Sequence, residues 1–193
     1  MPILELEQTV FPENLLTGFV EEQEEDVTEE NSRSWWAVFT MARREKSLAR
    51  QLVAQSVPFY LPLVAKEHRN RGGRRMRSYM PLFTGYVFLY GSAFERVKAL
   101  TTNHISQTLP VPDQAQLLTD LRQVQQLIEL DCPLTIERRL KPGRRVRIKA
   151  GPMAGFEGTV TARRQKTRLL IHVHFLQSGV SVEIDDYMVE PVD

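Results

Sequence analysis

The chain has 193 residues, of which 42% are hydrophobic and 25% are charged. This length and composition suffice for one or two compact domains, but no apolar run approaches the roughly 20 residues that cross a bilayer. The N-terminus lacks the pattern of a secretory signal. The single cysteine, Cys132, excludes an internal disulfide and a cysteine-based zinc site. We therefore expect a cytoplasmic protein without a membrane partner.

The net charge of +1 conceals a strong asymmetry along the chain. Residues 1–32 contain ten Asp and Glu and no basic residue, so all 25 Lys and Arg lie in residues 33–193 with the other 14 of the 24 acids. Like charges and weak periodicity predict a disordered acidic tail over residues 1–32. The basic remainder suits a polyanion or an acidic protein surface, which the tail would screen unless it is only a solvated leader.

The first ordered elements are an apolar strand at residues 35–40 and an amphipathic helix over residues 43–55. In that helix Leu48 and Leu52 share one face, and a cationic face lies elsewhere. The cationic face is either solvated or binds phosphates. Arg43, Lys46 and Arg50 lie on this face, and Arg44 is a further candidate for binding nucleic acid.

A basic hairpin is predicted next. Residues 57–64 contain two prolines and are expected at a sheet edge or strand start. The Gly72–Gly73 pair between two extended arms then predicts a hairpin tip over residues 66–77. Its five arginines could follow a phosphate backbone, although solubility alone is an alternative. They are Arg69, Arg71, Arg74, Arg75 and Arg77.

Residues 86–90 form the strand around which this domain is organised. Alternation places Tyr86, Phe88 and Tyr90 on one face and Val87 with Leu89 on the other. Since both faces are apolar, the strand is expected inside the sheet. The aromatic face is either core packing or an anchor for a partner.

Two more helices and a strand complete the first domain. Residues 93–100 and 114–130 have helical patterns, and residues 104–109 form an edge strand between them. This order predicts an α+β domain on an antiparallel sheet over residues 33–131. After a linker at 132–141, five short strands with glycine turns predict a small all-β five-stranded barrel over residues 142–193.

The two domains together resemble a known family. Residues 141–160 look like a KOW motif, with a Gly-led strand, a two-glycine turn and a glycine before the next strand. The Trp35–Trp36 strand, the Arg/Gly hairpin and residues 82–88, Leu-Phe-Thr-Gly-Tyr-Val-Phe, resemble the NusG N-terminal (NGN) domain. In this order they resemble bacterial transcription elongation and antitermination factors of the NusG/RfaH type.

The resemblance implies a specific function for the first domain. Such an NGN domain binds the clamp helices of RNA polymerase, bridges the DNA cleft and suppresses pausing or termination. The basic residues named above would then contact DNA, including the non-template strand at the transcription bubble. Thr84 replaces a proline that is usual in the family. The polymerase-binding residues would be Phe83, Tyr86, Phe88, Leu117, Leu118 and Leu121, with Thr101 and Thr102 as a second contact in the cleft.

The resemblance also implies that the KOW domain recruits a partner, either the termination factor Rho or a small-subunit ribosomal protein. The matching residues are Phe175, Leu176 and Gln177, and the last two depart from the family's Gly-Arg. This departure, the acidic tail and the arginine hairpin favour a specialised paralogue, expected to be monomeric. A KOW domain that switches to a helical hairpin is the less favoured alternative, since residues 169–174 are strongly strand-forming.

The sequence contains no motif that predicts catalysis or the binding of a cofactor. His172 and His174 share a strand face, but no third metal ligand lies nearby in the sequence, so ordinary histidines are the simpler interpretation. No phosphate-binding loop, nucleophile motif or zinc spacing is present. The alternative to a polymerase-binding factor is a single-stranded RNA-binding module, because residues 85–91 partly resemble the base-stacking strand of an RRM.

Overall fold

The structure, a computed structural model, describes residues 8–17, 32–69, 73, 75–131, 134–137, 143–163, 166–184 and 189–192. It divides into two compact units, Met1–Gln114 and Ala115–Asp193. The sequence pattern predicts a later boundary, after residue 131. No helix in the described part of the chain is long and apolar enough to cross a membrane.

The first unit contains seven strands and two helices among its described residues. In chain order they are β1 (Val10–Phe11), β2 (Ser34–Thr40), α1 (Glu45–Ala54), β3 (Phe59–Tyr60), β4 (Leu63–Arg69), β5 (Arg75–Pro81), β6 (Tyr86–Gly91), α2 (Ala93–Leu100) and β7 (Ile105–Pro110). Five strands form an antiparallel sheet in the order β1-β3-β6-β2-β7. The strand β6 is central and β7 lies at an edge, as the sequence predicts.

A hydrophobic cluster of this unit lies on one face of the five-stranded sheet. Val87 and Leu89 of β6 are buried there in one cluster with Val38 of β2 and with Leu48 and Leu52 of α1. The predicted inward face of β6 is therefore confirmed. Each such side chain contributes about 1.5–3 kcal/mol when it is removed from water. The opposite face of the sheet carries the aromatic residues of β6.

Residues 8–17 of the acidic leader contribute a strand to this sheet, within the segment 1–32 for which the sequence predicts disorder. Val10 pairs with Tyr60, and the Leu61 amide donates a hydrogen bond of 2.6 Å to the Thr9 carbonyl. Leu15 and Leu16 are buried. The apolar residues of this segment pair with the free edge of β3 and pack into the core. The free energy gained by this pairing and burial exceeds the cost that the acidic composition imposes. The acidic run at 21–26 lies outside the described residues.

The predicted basic hairpin is present. Its arms, β4 and β5, pair antiparallel from Leu63 opposite Pro81 to Arg69 opposite Arg75. They form a separate two-stranded sheet. The tip residues 70–72 lie outside the described residues.

The second unit combines one helix with a β-rich region. Its elements are α3 (Gln114–Glu129), β8 (Thr135–Glu137), β9 (Arg144–Ile148), β10 (Glu157–Arg163), β11 (Lys166–Val173), a 3-10 turn (His174–Leu176), β12 (Ser178–Glu183) and β13 (Val189–Pro191). The five predicted strands are present, but β8 adds a sixth from the expected linker, and the order is β13-β9-β10-β11-β12-β8. Among the described residues no pairing joins β13 to β8, so the expected barrel closure is not observed.

The interior of the second unit is formed by the expected strand residues and by α3. Val146 and Ile148 are buried with Leu169, and Val160 packs against them. Leu127 of α3 belongs to the same cluster. The helix therefore shares a hydrophobic core with the β-rich region.

Candidate binding surfaces

Three loops of the first unit meet at one end of its sheet. They are residues 41–44 after β2, residues 82–85 before β6 and residues 101–104 after α2. The Thr40 amide donates to the Gly85 carbonyl at 2.8 Å, and the Met41 amide donates to the His104 carbonyl at 2.9 Å. Residues that the sequence assigned to separate functions are thereby brought together at what we call the loop end.

A buried carboxylate connects two of these loops. Glu45, in the first turn of α1, is 5% exposed, and its Oε1 accepts a hydrogen bond of 2.8 Å from the Gly85 amide. Gly85 has φ +85°, and a Cβ atom there would lie 2.8 Å from Phe39 Cε2. Only glycine fits this turn without strain. Sequence reasoning missed Glu45, because its partner is 40 residues away.

The accessible apolar side chains of the loop end differ in part from those that the sequence predicted. Phe39 is 40% exposed and Met41 is 49% exposed, and Tyr86 is half-buried with its ring centroid 5.2 Å from that of Phe39. Phe83 and Phe88 are buried, with their rings edge to face at 6.3 Å. Tyr86 is thus the predicted aromatic that remains accessible, and Phe39 and Met41 join it.

The three predicted leucines of α3 are not accessible either. Leu117, Leu118 and Leu121 are all buried, so in this conformation the structure presents none of them to a partner.

The signal for Phe39 was present in the sequence, because alternation along β2 places it on the same face as Ala37, and Ala37 pairs with Phe88.

Cationic side chains lie beside the loop end. Arg43, Arg44 and Arg50 are exposed, and Lys46 is half-buried. Arg43 adopts φ +61°, a left-handed conformation that is uncommon for a residue with a Cβ atom. Strained backbone of this kind clusters at active and ligand-binding sites.

The hairpin contributes a second group of cations. Arg69 and Arg77 are exposed, and the Arg77 guanidinium lies 5.6 Å from the ring centroid of Tyr79. Arg71 and Arg74 lie outside the described residues, and only the backbone of Arg75 is described.

Thr101 and Thr102 end α2 at the loop end. Their hydroxyls donate hydrogen bonds of 2.7 Å to the carbonyls of Lys98 and Ala99, respectively. Thr101 is exposed and Thr102 is half-buried. Each hydroxyl oxygen keeps acceptor capacity for a partner, since its proton is already used within the helix end.

In the second unit, the predicted partner-binding residues form the turn between β11 and β12. Phe175 and Leu176 are half-buried in the 3-10 turn. Gln177 is exposed at φ +47°, and its amide donates to the His174 carbonyl at 3.1 Å. This turn offers two partly accessible apolar side chains and one amide.

A polar cluster joins α3 to the same turn. The buried Asp120 carboxylate accepts a hydrogen bond of 2.9 Å from the His174 amide and lies 3.1 Å from His174 Nδ1, while Gln116 donates to it at 2.8 Å. The His172 ring stacks on that of His174 at 5.5 Å. Burial, followed by the nearby His174, lowers the pKa of His172. The described residues contain no group of three or more side chains that could hold a metal.

The described chain thus combines an α+β domain, which has exposed aromatic and cationic side chains at one end, with a β-rich unit. The family described as transcription termination factor NusG matches residues 33–140, more than half of the chain. The chain therefore belongs to the NusG family, whose members are transcription factors that act during elongation and are not enzymes.

The other comparisons add little to this assignment. A solved structure described as the crystal structure of an MjSpt4:Spt5 complex, conformation B, is similar at 16% identity, over 82% of this chain and 97% of that chain. Its TM-score of 0.25 is too low to support a structural argument. No curated protein matches the chain.

Proposed function

We propose that this chain is a transcription elongation and antitermination factor that binds the clamp helices of RNA polymerase through the loop end. In this proposal Phe39, Met41 and Tyr86 form the apolar contact, and Phe83 with Phe88 supports it from below. Thr101 and Thr102 contact the other side of the cleft. By spanning the cleft, the domain keeps polymerase in its elongating state and suppresses pausing or termination.

The observation that supports this proposal most is the convergence of three loops on one end of the sheet. An apolar cluster bounded by cations suits a protein surface that lies close to nucleic acid. Four cationic residues follow Met41 closely in the sequence, and in this proposal they contact DNA beside the docked helices. They are Arg43, Arg44, Lys46 and Arg50. We infer that they bind the non-template strand, with the hairpin arginines Arg69, Arg71, Arg74, Arg75 and Arg77 on the flanking duplex.

Capture of RNA polymerase tests the apolar contact. Replacing Phe39 and Tyr86 together by alanine in the full chain removes two anchor rings, each worth about 2 kcal/mol at such a site. We expect capture to fall by two to three orders of magnitude, or about 4 kcal/mol. Met80→Ala is the matched control, since Met80 is 47% exposed on β5. Unchanged capture by the double variant would refute the contact.

The cationic contact needs a separate test. Arg43→Gln and Arg50→Gln should leave polymerase capture intact but lower the affinity for elongation complexes that carry a complete bubble. The salt dependence of that affinity should also decrease by about one unit of log–log slope per cation removed. An unchanged slope would exclude these side chains from DNA binding.

The second unit is proposed to be a KOW domain that recruits Rho or a small-subunit ribosomal protein through Phe175, Leu176 and Gln177. The half-buried ring of Phe175 and the fixed turn at Gln177 support this assignment, because they present a defined shape. Phe175→Ala should abolish a calorimetric signal with one of the two partners, whereas the exposed Lys149→Ala should not. Equal binding by both variants would exclude the turn.

The single-stranded RNA-binding alternative is less well supported. Stacking of bases on β6 would require both Tyr86 and Phe88, and Phe88 is fully buried. Loss of RNA binding with retained polymerase capture in the Phe39 and Tyr86 double variant would favour that alternative.

A further inference from the structure

One helix carries half of the large exposed hydrophobic side chains in the described part of the chain. Phe94, Val97 and Leu100 of α2 are 74%, 53% and 40% exposed, respectively. Their spacing places them on one side of the helix, while Ala99 is buried on the other side. The solvent-facing side of α2, which we call the α2 stripe, is therefore apolar, the reverse of an ordinary surface helix.

The α2 stripe lies on the other face of the sheet from the proposed apolar contact with the clamp helices, and its last residue, Leu100, directly precedes Thr101. Ala99 belongs to the cluster that contains Val87 and Leu89, so α2 lies on the helix-covered face of the sheet. Tyr86 and Phe88 lie on the opposite face of β6. A partner on the stripe would thus leave Tyr86, Phe39 and Met41 accessible.

The stripe is bordered by positive charge on both sides. Successive helix residues are about 100° apart around the helix axis, so Arg96 and Lys98 lie on opposite sides of the line that runs through Val97 along the stripe. The Arg96 guanidinium lies 4.8 Å from the Trp36 ring centroid, and Lys98 Nζ donates to the Gln55 carbonyl at 2.6 Å. Both charges are thereby fixed in position, and within the described residues neither forms an ion pair.

The acidic residue of this helix does not offset those charges. Glu95 accepts a hydrogen bond from Arg33 at 2.8 Å and closes the capping box with Ser92. An apolar seam between two cationic borders is complementary to an amphipathic helix that has acidic residues along its flanks. The arrangement selects the charge of a partner as well as its shape.

We propose that the α2 stripe docks an amphipathic helix of another protein, whose apolar seam packs on Phe94, Val97 and Leu100 and whose flanks are acidic. A second copy of this chain does not fit. Its own α2 would bring Arg96 and Lys98 against the same cations.

Two synthetic peptides of about 15 residues test this proposal. Both carry leucines at i, i+3 and i+7, and the positions beside the leucines are glutamate in one peptide and lysine in the other. Fluorescence anisotropy with the full chain should show the glutamate peptide binding about tenfold more tightly. Lys98→Gln should reduce that preference, because it removes one of the two bordering charges.

The apolar contact is tested in the same assay. Val97→Ser should weaken binding of the glutamate peptide about tenfold, and Met80→Ser, at an exposed position of the hairpin, should not change it. Circular dichroism establishes that both variants are folded. Equal affinity for the two peptides would overturn the proposal, as would binding that is indifferent to Val97→Ser. Sedimentation that shows a dimer abolished by Val97→Ser would also overturn it, since the occupant would then be a second copy.

Discussion

Replacement of Glu45 by alanine tests how the loop end is held in place. The Glu45 carboxylate is buried and accepts the Gly85 amide at 2.8 Å. Its removal leaves that buried amide without its partner. A hydrogen bond to a charged group contributes about 1.5–3 kcal/mol, and an unsatisfied buried amide costs about 1–3 kcal/mol. We expect Glu45→Ala to lower the free energy of unfolding of the full chain by about 2 kcal/mol.

The matched variant is Glu45→Gln, which keeps an oxygen that can accept the Gly85 amide. It should recover at least half of the loss, because the hydrogen bond persists while the charge does not. Urea unfolding followed by tryptophan fluorescence reports on this unit, since Trp35 is buried in it and Trp36 is half-buried. Equal stability of the alanine and glutamine variants would refute the role of the hydrogen bond.

The same pair of variants connects stability to function. Gly85 directly precedes Tyr86 in the chain and lies next to the ring of Phe39. If the hydrogen bond between Glu45 and Gly85 positions these two rings, Glu45→Ala should weaken polymerase capture even under conditions where it is fully folded. Full capture by folded Glu45→Ala would mean that the Glu45–Gly85 hydrogen bond is not needed for polymerase binding.

Three further predictions concern other parts of the chain. Leu16→Ala should cost about 2–4 kcal/mol, because Leu16 is 3% exposed; unchanged stability in urea would mean that the leader is disordered in solution. Asp120→Ala should speed hydrogen exchange of the His174 amide by at least tenfold, since it removes the acceptor at 2.9 Å, and equal exchange would contradict this contact. The lowered pKa of His172 means that the unfolded chain binds its proton more readily, so stability should fall as pH drops through about 6.5, by at most ~1.4 kcal/mol per pH unit. His172→Gln should reduce that slope, and an identical slope would contradict the assignment.

The elements that the sequence predicted correctly are those with a strong local pattern. The strand β6 alternates clearly and is apolar on both faces, so its central position followed from its residues. The helix α2 and the hairpin were likewise predicted, because residues 93–100 have a helical pattern and the Gly72–Gly73 pair is a local turn signal.

The parts that the sequence missed depend on contacts distant in the chain. The strand β1 is two residues long in an acidic segment, and its pairing depends on the edge that β3 offers. The strand β8 is three residues long and pairs with β12. Glu45 and Asp120 gave no signal, because a buried carboxylate is defined by a partner 40 or 54 residues away. Burial of Phe83 and Phe88 is also a property of the folded chain, and no periodicity could distinguish it from exposure.

Photo-crosslinking from the loop end tests the central claim most directly. A photoreactive phenylalanine analogue is placed at Phe39, and in a second variant at Val97 on the opposite face of the sheet. Each full-length variant is added to a stalled RNA polymerase elongation complex and irradiated. The proposed function predicts that position 39 crosslinks to the clamp helices and that position 97 does not. Absence of a crosslink from position 39, or crosslinks to the clamp helices from position 97 alone, would contradict it.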